Sequence, residues 1–157
     1  MKVVHAIDES KAYYITVDLD VWSRSRLEPL AAAIGERAGL HYVGPEGRVH
    51  GAHFGVRLYP DDDASRAIVA LASVVRKLPA AARRLWDRAH RKEFNIGIQA
   101  AEQPHSFELA IEPRALRAVV DLDATVAVTI YAPERPAAPK RRGPGRETAL
   151  KGRRTKR

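Results

Sequence analysis

Ten consecutive residues, Tyr13 to Trp22, set the first constraint on the fold. Tyr13, Ile15, Val17, Leu19 and Val21 alternate with Tyr14, Thr16, Asp18, Asp20 and Trp22. Successive strand side chains point to opposite faces, so this period of two reads as a strand buried on one side and solvated on the other. A strand of that kind belongs in a sheet with one face against a core and one face toward water.

The rest of the chain supplies the cover. Ser25-x-x-Glu28 has the spacing of a capping box and opens a helix with Leu27, Leu30, Ala31, Ile34 and Ala38 on one face. Pro29 belongs in its first turn, and Gly39 suits the position just past its end. Leu40 to Val43 and Val49 to Leu58 read as a hairpin around Gly44-Pro45-Glu46-Gly47, with Phe54, Val56 and Leu58 facing one way. Asp61, Asp62 and Asp63 are N-cap candidates for a helix built on Ala64, Ala67, Ile68, Leu71, Val74, Val75 and Leu78. Pro79 interrupts that helix. A second one follows, with Ala82, Leu85, Trp86 and Ala89 inward and Arg83, Arg84, Arg88 and Arg91 on its opposite face. Phe94, Ile96, Ile98 and Ala100, then Phe107, Leu109 and Ile111, read as two strands joined through Gln103-Pro104. Pro113 starts a short helix carrying Leu116, Val119 and Val120, and Val126, Val128 and Ile130 form the last strand. Val3 to Ile7 reads as a short strand ahead of the long one.

The expected class is α+β: an antiparallel sheet with helices packed on one face. From Ala12 to Ala100 the order is that of a ferredoxin-like βαββαβ core, and a βαβ extension follows. Residues 1–135 are expected to form one domain. Residues 136–157 carry no aromatic or β-branched apolar side chain and are expected to be a disordered basic tail.

Charge is unevenly placed. Residues 140–157 hold nine Lys or Arg and one acid, a net charge of +8, which equals that of the whole chain. The remaining 139 residues are therefore neutral. Within them, Arg76 to Lys92 holds seven basic residues against Asp87, so that stretch is +6 and everything else is −6. A dipolar domain with one basic helix surface and one acidic region follows. The chain has no Cys, which excludes disulfides, thiolate catalysis and Cys-ligated zinc. The start, MKVVHAIDESK, lacks an apolar signal core, and no stretch approaches the ~18 apolar residues of a membrane span. A cytoplasmic location and no membrane partner are expected.

Several patterns bear on chemistry. Asp18 and Asp20 place two carboxylates about 7 Å apart on one strand face. Such a pair can hold a divalent metal or divide acid and base roles, and it equally suits a solvated strand face. Asp121 and Asp123 fall at a helix-to-strand turn, where Asp is ordinary. His41, His50 and His53 surround one hairpin, and three imidazoles can bind zinc. His50 and His53 are three apart, however, and point to opposite faces of a regular strand unless Gly51 hosts a bulge. Tyr13, Tyr14 and Trp22 on a sheet face have the means to stack bases, but no accompanying run of basic and aromatic residues is present. No nucleophile elbow or phosphate loop is found, so no catalytic residue, metal or cofactor is assigned.

The strongest functional pattern is cationic. Lys140, Arg141, Arg142, Arg146, Lys151, Arg153, Arg154, Lys156 and Arg157 will attract polyanions, with Arg83, Arg84, Arg88 and Arg91 as an extension of that surface. The runs RRLWDRAHRKEFNIGIQA and AIEPRALRAVVDLDATVAVTIYA, between Leu78 and Tyr131, resemble small uncharacterised bacterial α+β domains, some suspected of being toxin-immunity proteins. That resemblance implies a toxin as protein partner and carries no functional residues. The expected function is a non-catalytic binding module whose tail gives weak, non-specific nucleic-acid affinity. The alternatives are an immunity-type inhibitor and a metal-dependent enzyme using Asp18 and Asp20.

Overall fold

The computed structural model describes residues 11–55, 63–102 and 105–133. Their elements run β1 (Tyr13–Ser23), α1 (Glu28–Gly35), β2 (Gly39–Glu46), β3 (Val49–Gly55), α2 (Ala64–Arg76), α3 (Ala80–Arg88), β4 (Arg91–Gln99), α4 (Pro113–Val120) and β5 (Thr125–Tyr131). The architecture is α+β, with a five-stranded sheet in the order β2-β3-β1-β4-β5. β1 pairs antiparallel with β3 on one side and β4 on the other, and β2 pairs antiparallel with β3. β5 is parallel to β4, so the sheet is mixed rather than wholly antiparallel. The cause is α4, which returns the chain to the starting end of β4 before β5 begins, as a parallel neighbour requires.

One face of the sheet is the core. Val17, Leu19 and Val21 of β1, Ala52 and Phe54 of β3, and Phe94 and Ile96 of β4 are all buried there. They pack in one cluster with Leu27, Leu30 and Ile34, with Ile68, Leu71 and Val75, and with Trp86. The apolar stripes of α1 and α2 are thus the ones the helical spacing implied. Asp63 caps α2 by accepting a bond from the Arg66 amide at 2.7 Å. Pro79 lies between α2 and α3, and its carbonyl accepts the first bond of α3, from the Arg83 amide at 2.8 Å.

Other expectations fail locally. The capping box does not form: α1 starts after Leu27 without a side-chain cap, and the Ser25 amide instead bonds Ser23 Oγ at 3.1 Å. Gly39 is not a helix terminator but the first residue of β2, opposite Gly55. Residues 107–111 form no strand. The outer edge of β4 is occupied by β5, and the Glu112 amide is tied to Ser65 Oγ of α2 at 2.9 Å. Leu109 and Ile111 are left to pack on the core, and Phe107 is exposed. Of the apolar residues read on α4, Val119 is buried, together with Ala115 and Ala118, while Leu116 and Val120 are exposed. Val3 to Ile7, Val56, Leu58, the Gln103-Pro104 link and the 136–157 segment lie outside the described residues.

The alternation in β1 also shifts. Between Tyr14 and Thr16 the register against β4 slips by one, leaving Ile15 as the extra residue of a bulge. Tyr14, opposite Ile98, packs on the core, while Ile15 is exposed. The phase set by Val17, Leu19 and Val21 therefore does not extend back to Tyr13.

Trp86 is the largest fully buried side chain. Its indole N–H donates to the Leu122 carbonyl at 3.2 Å. The Lys92 ammonium lies 5.8 Å from its ring centroid and bonds Asp123 Oδ2 at 2.9 Å. Asp123 adopts φ 51°, the left-handed region that Asp tolerates better than most residues. Trp86→Ala would open a cavity between α3 and β4 and strand the Leu122 carbonyl. A loss of ~3–5 kcal/mol is expected in urea denaturation, and Trp86→Phe should lose less.

Candidate functional site

The second face of the sheet carries no helix among the described residues. Its side chains stand in cross-strand rows. Tyr42, His53, Asp20 and Glu93 form one row across β2, β3, β1 and β4. Gly44, Gly51, Trp22 and Arg91 form the next, and Gly55, Asp18 and Asn95 flank the first on its other side.

Glycines leave space in these rows, and long side chains lie down in it. A Cβ on Gly51 would overlap the Glu46 carboxylate. One on Gly44 would come within 2.8 Å of the Tyr42 hydroxyl, which donates to the Pro45 carbonyl at 2.9 Å. One on Gly55 would meet His41 Nε2 at 2.8 Å and Asp18 Oδ1 at 3.1 Å. His41 reaches this position because β2 is bulged between Leu40 and Tyr42. The extra residue puts His41 and Tyr42 on the same face in succession.

His53 is the centre of the site. Its Nδ1 is 2.7 Å from Asp20 Oδ1, and its Nε2 bonds Glu46 Oε1. An ionised carboxylate only accepts, so these two contacts favour the protonated ring, in which both nitrogens donate. Burial alone would lower the His53 pKa, but the bonds to Glu46 and Asp20 and their charges outweigh it and raise the value above 6.5. Glu46 is held below its ordinary 4.5 by its bond to His53 and by the Trp22 indole N–H, which donates to Oε2 at 2.8 Å. Trp22 meets the His53 ring edge-on, with centroids 5.4 Å apart, and Tyr42 stacks on it at 5.7 Å. The Arg91 guanidinium covers Trp22 at 4.2 Å from the ring centroid and pairs with Glu93.

Asp18 is the exception in this network. Its Oδ1 is buried without a hydrogen-bond partner. Burial, and then the charge of Asp20, push its carboxyl above the ordinary 3.8, against the pull of His41 and His53.

Asp18 and Asp20 do share a face, as their spacing implied, but Asp20 is committed to His53. His41 and His53 also share that face. His50 stands opposite Ser23 on the helix side, because β3 runs through Gly51 without a bulge. Among the described residues, no group of three or more His, Asp or Glu is arranged to hold a metal ion. The bulge at Ile15 splits Tyr13, Tyr14 and Trp22, since Tyr14 packs on the core. The basic run from Arg76 to Lys92 is dispersed. Arg76 pairs with Asp121 at 3.0 Å and Arg83 with Asp87 at 2.8 Å, while Lys92 is buried. Arg91 belongs to β4 and not to the helix, so only Arg84 and Arg88 join Arg83 on the outer side of α3. Lys140, Arg141, Arg142, Arg146, Lys151, Arg153, Arg154, Lys156 and Arg157 lie outside the described residues.

The sequence reading missed Glu46, Tyr42 and Glu93. The available signal was the glycine spacing in the hairpin, because a strand glycine marks close approach of another group. No protein-family model, curated protein or solved structure matches the chain. No helix among the described residues is long and apolar enough to cross a membrane.

The network has a defined pH window. A raised His53 pKa means its contribution is complete below pH 6.5 and is lost as pH rises through the folded value. A lowered Glu46 pKa means its contribution is present above pH 4.5 and is lost as pH falls through the folded value. The Tm difference between the protein and His53→Gln should therefore be widest between these limits and narrow as pH rises above the His53 pKa. Gly51→Ala should expel the Glu46 carboxylate from Trp22 and His53. The expected results are a shifted Trp22 emission and a His53 pKa, read by NMR, lower than in the parent.

Proposed function

We propose that the chain is a non-catalytic binding module that recognises a protein partner through the helix-free sheet face. The observation that carries this reading is the fixed cluster of Trp22, Tyr42 and His53 with the Asp20, Glu46 and Glu93 carboxylates. Aromatic rings locked by neighbours lose little conformational entropy on binding, and charge patterning selects the partner. The site chemistry favours recognition over a reaction: both nitrogens of the His53 ring are engaged by carboxylates, which leaves neither free toward a substrate.

The succession β1-α1-β2-β3-α2-α3-β4, with β2-β3-β1-β4 as antiparallel neighbours, supports reading this part as the ferredoxin-like core, with α4 and β5 as the extension. Residues 140–157 add salt-sensitive affinity for nucleic acid, and Arg84 and Arg88 extend that cationic surface. Cations that contact only phosphates carry no base information, so this affinity is non-specific.

A second reading, an immunity-type inhibitor of a bacterial toxin, is favoured by the gathering of Asp18, Asp20, Glu46 and Glu93 on one face, which suits a basic protein surface. Co-purification with a neighbouring toxin-like protein would support it, and loss of that complex in Glu93→Lys would place the contact on this face.

Filter binding to a nucleic acid of random sequence tests the tail. The intact chain should bind with an affinity that falls by roughly 10³–10⁵ between 50 and 200 mM salt, if it neutralises about six to ten phosphates. A chain ending at residue 139 should bind far more weakly at low salt. Equal binding by the two would remove the tail from the proposal.

A further inference from the structure

The two edges of the sheet are built differently. β2 is defended by a bulge at His41 and by Pro45, two devices that discourage strand addition. β5, Thr125-Val126-Ala127-Val128-Thr129-Ile130-Tyr131, has neither a charge nor a proline nor a bulge against β4. No described residue pairs with its outer edge. Val126, Val128 and Ile130 lie on the helix side, in register with Phe94, Ile96 and Ile98, yet they are 37%, 55% and 67% exposed. Leu116 and Val120, one turn apart on α4, are 46% and 75% exposed.

We infer that β5 pairs antiparallel with β5 of a second copy, about a two-fold axis at Ala127. The occupant is argued from the strand itself. Residues 125–129 read Thr-Val-Ala-Val-Thr in both directions. Antiparallel self-pairing centred on Ala127 sets Val126 opposite the second copy's Val128, and Thr125 opposite its Thr129. Both are favourable cross-strand pairs, and no like charges meet. A closed two-fold interface requires this kind of self-complementarity, whereas a strand built for a different partner does not. The pairing turns two five-stranded sheets into one of ten strands and brings Leu116 and Val120 of each copy beside the joint. The exposed Val126, Val128, Ile130, Leu116 and Val120 supply apolar surface toward the ~800 Å² that a standard interface takes from each partner.

The chain contains no Cys, which permits a direct test. Ala127→Cys places one thiol on the axis, where paired Cα atoms ~4.5–5.5 Å apart fall within disulfide reach. Mild oxidation should convert the full-length variant to a covalent dimer. Ala81→Cys, at an exposed position of α3, should form no covalent dimer under the same oxidation. Light scattering of the unmodified chain at micromolar concentration should give twice the 17.4 kDa chain mass. Val128→Lys should give the single-chain mass with a Tm close to the parent. The inference is overturned if the unmodified chain is monomeric at every concentration, or if Ala127→Cys cross-links no faster than Ala81→Cys. Dimerisation that appears only after residues 1–10 or 134–157 are removed would overturn it too, by showing that the chain's own end covers this edge.

Discussion

The structure depends on β1 being hydrogen-bonded along both edges. That central position gives one strand two chemistries. Val17, Leu19 and Val21 contribute about 1.5–3 kcal/mol each through burial under the helices. Asp18, Asp20 and Trp22, which alternate with them, build the site on the reverse face. A slip of one residue would exchange the two sets, so the same burial that holds the core also fixes the register of the carboxylates. The site is a by-product of core packing and needs no separate scaffold.

What β1 supplies, the β2–β3 hairpin completes. Gly51 and Gly55 are strand residues without side chains to pack, an arrangement that weakens a strand taken alone. Here the vacant positions are filled from the neighbouring strand by Glu46 and His41. Glu46 then links Trp22 to His53, and His53 links both to Asp20. Each member of this chain is positioned by another, which is what gives the aromatic rings fixed orientations. The +6 stretch, by contrast, divides among four environments: the end of α2 for Arg76, the outside of α3 for Arg84 and Arg88, the sheet face for Arg91 and the buried side for Lys92. A linear run of charge does not make a surface when the chain changes direction within it.

The helix side of the sheet is covered well at its centre and poorly at β5. α4 packs against α2 with Ala115, Ala118 and Val119 and turns Leu116 and Val120 outward, which leaves the Val126, Val128 and Ile130 row open. The helix-free face and this open edge share β5, whose Thr125, Ala127, Thr129 and Tyr131 continue the polar face. Joining two copies at that edge would set their two helix-free faces on one continuous surface.

Sequence by itself determined what depends on neighbours a few residues away. The faces of α1 and α2, the Asp63 cap, the break at Pro79 and the opposition of His50 and His53 all follow from local periodicity and backbone chemistry. Only the tertiary structure decided the bulges at Ile15 and His41, the parallel entry of β5, the loss of a strand at residues 107–111 and the outward turn of Leu116 and Val120. It alone joined His53 to Asp20, 33 residues away, and Lys92 to Asp123, 31 away. The physical reason is that strand order and register are set by competition among whole elements for hydrogen-bonding edges and core volume. No window of a few residues contains that competition.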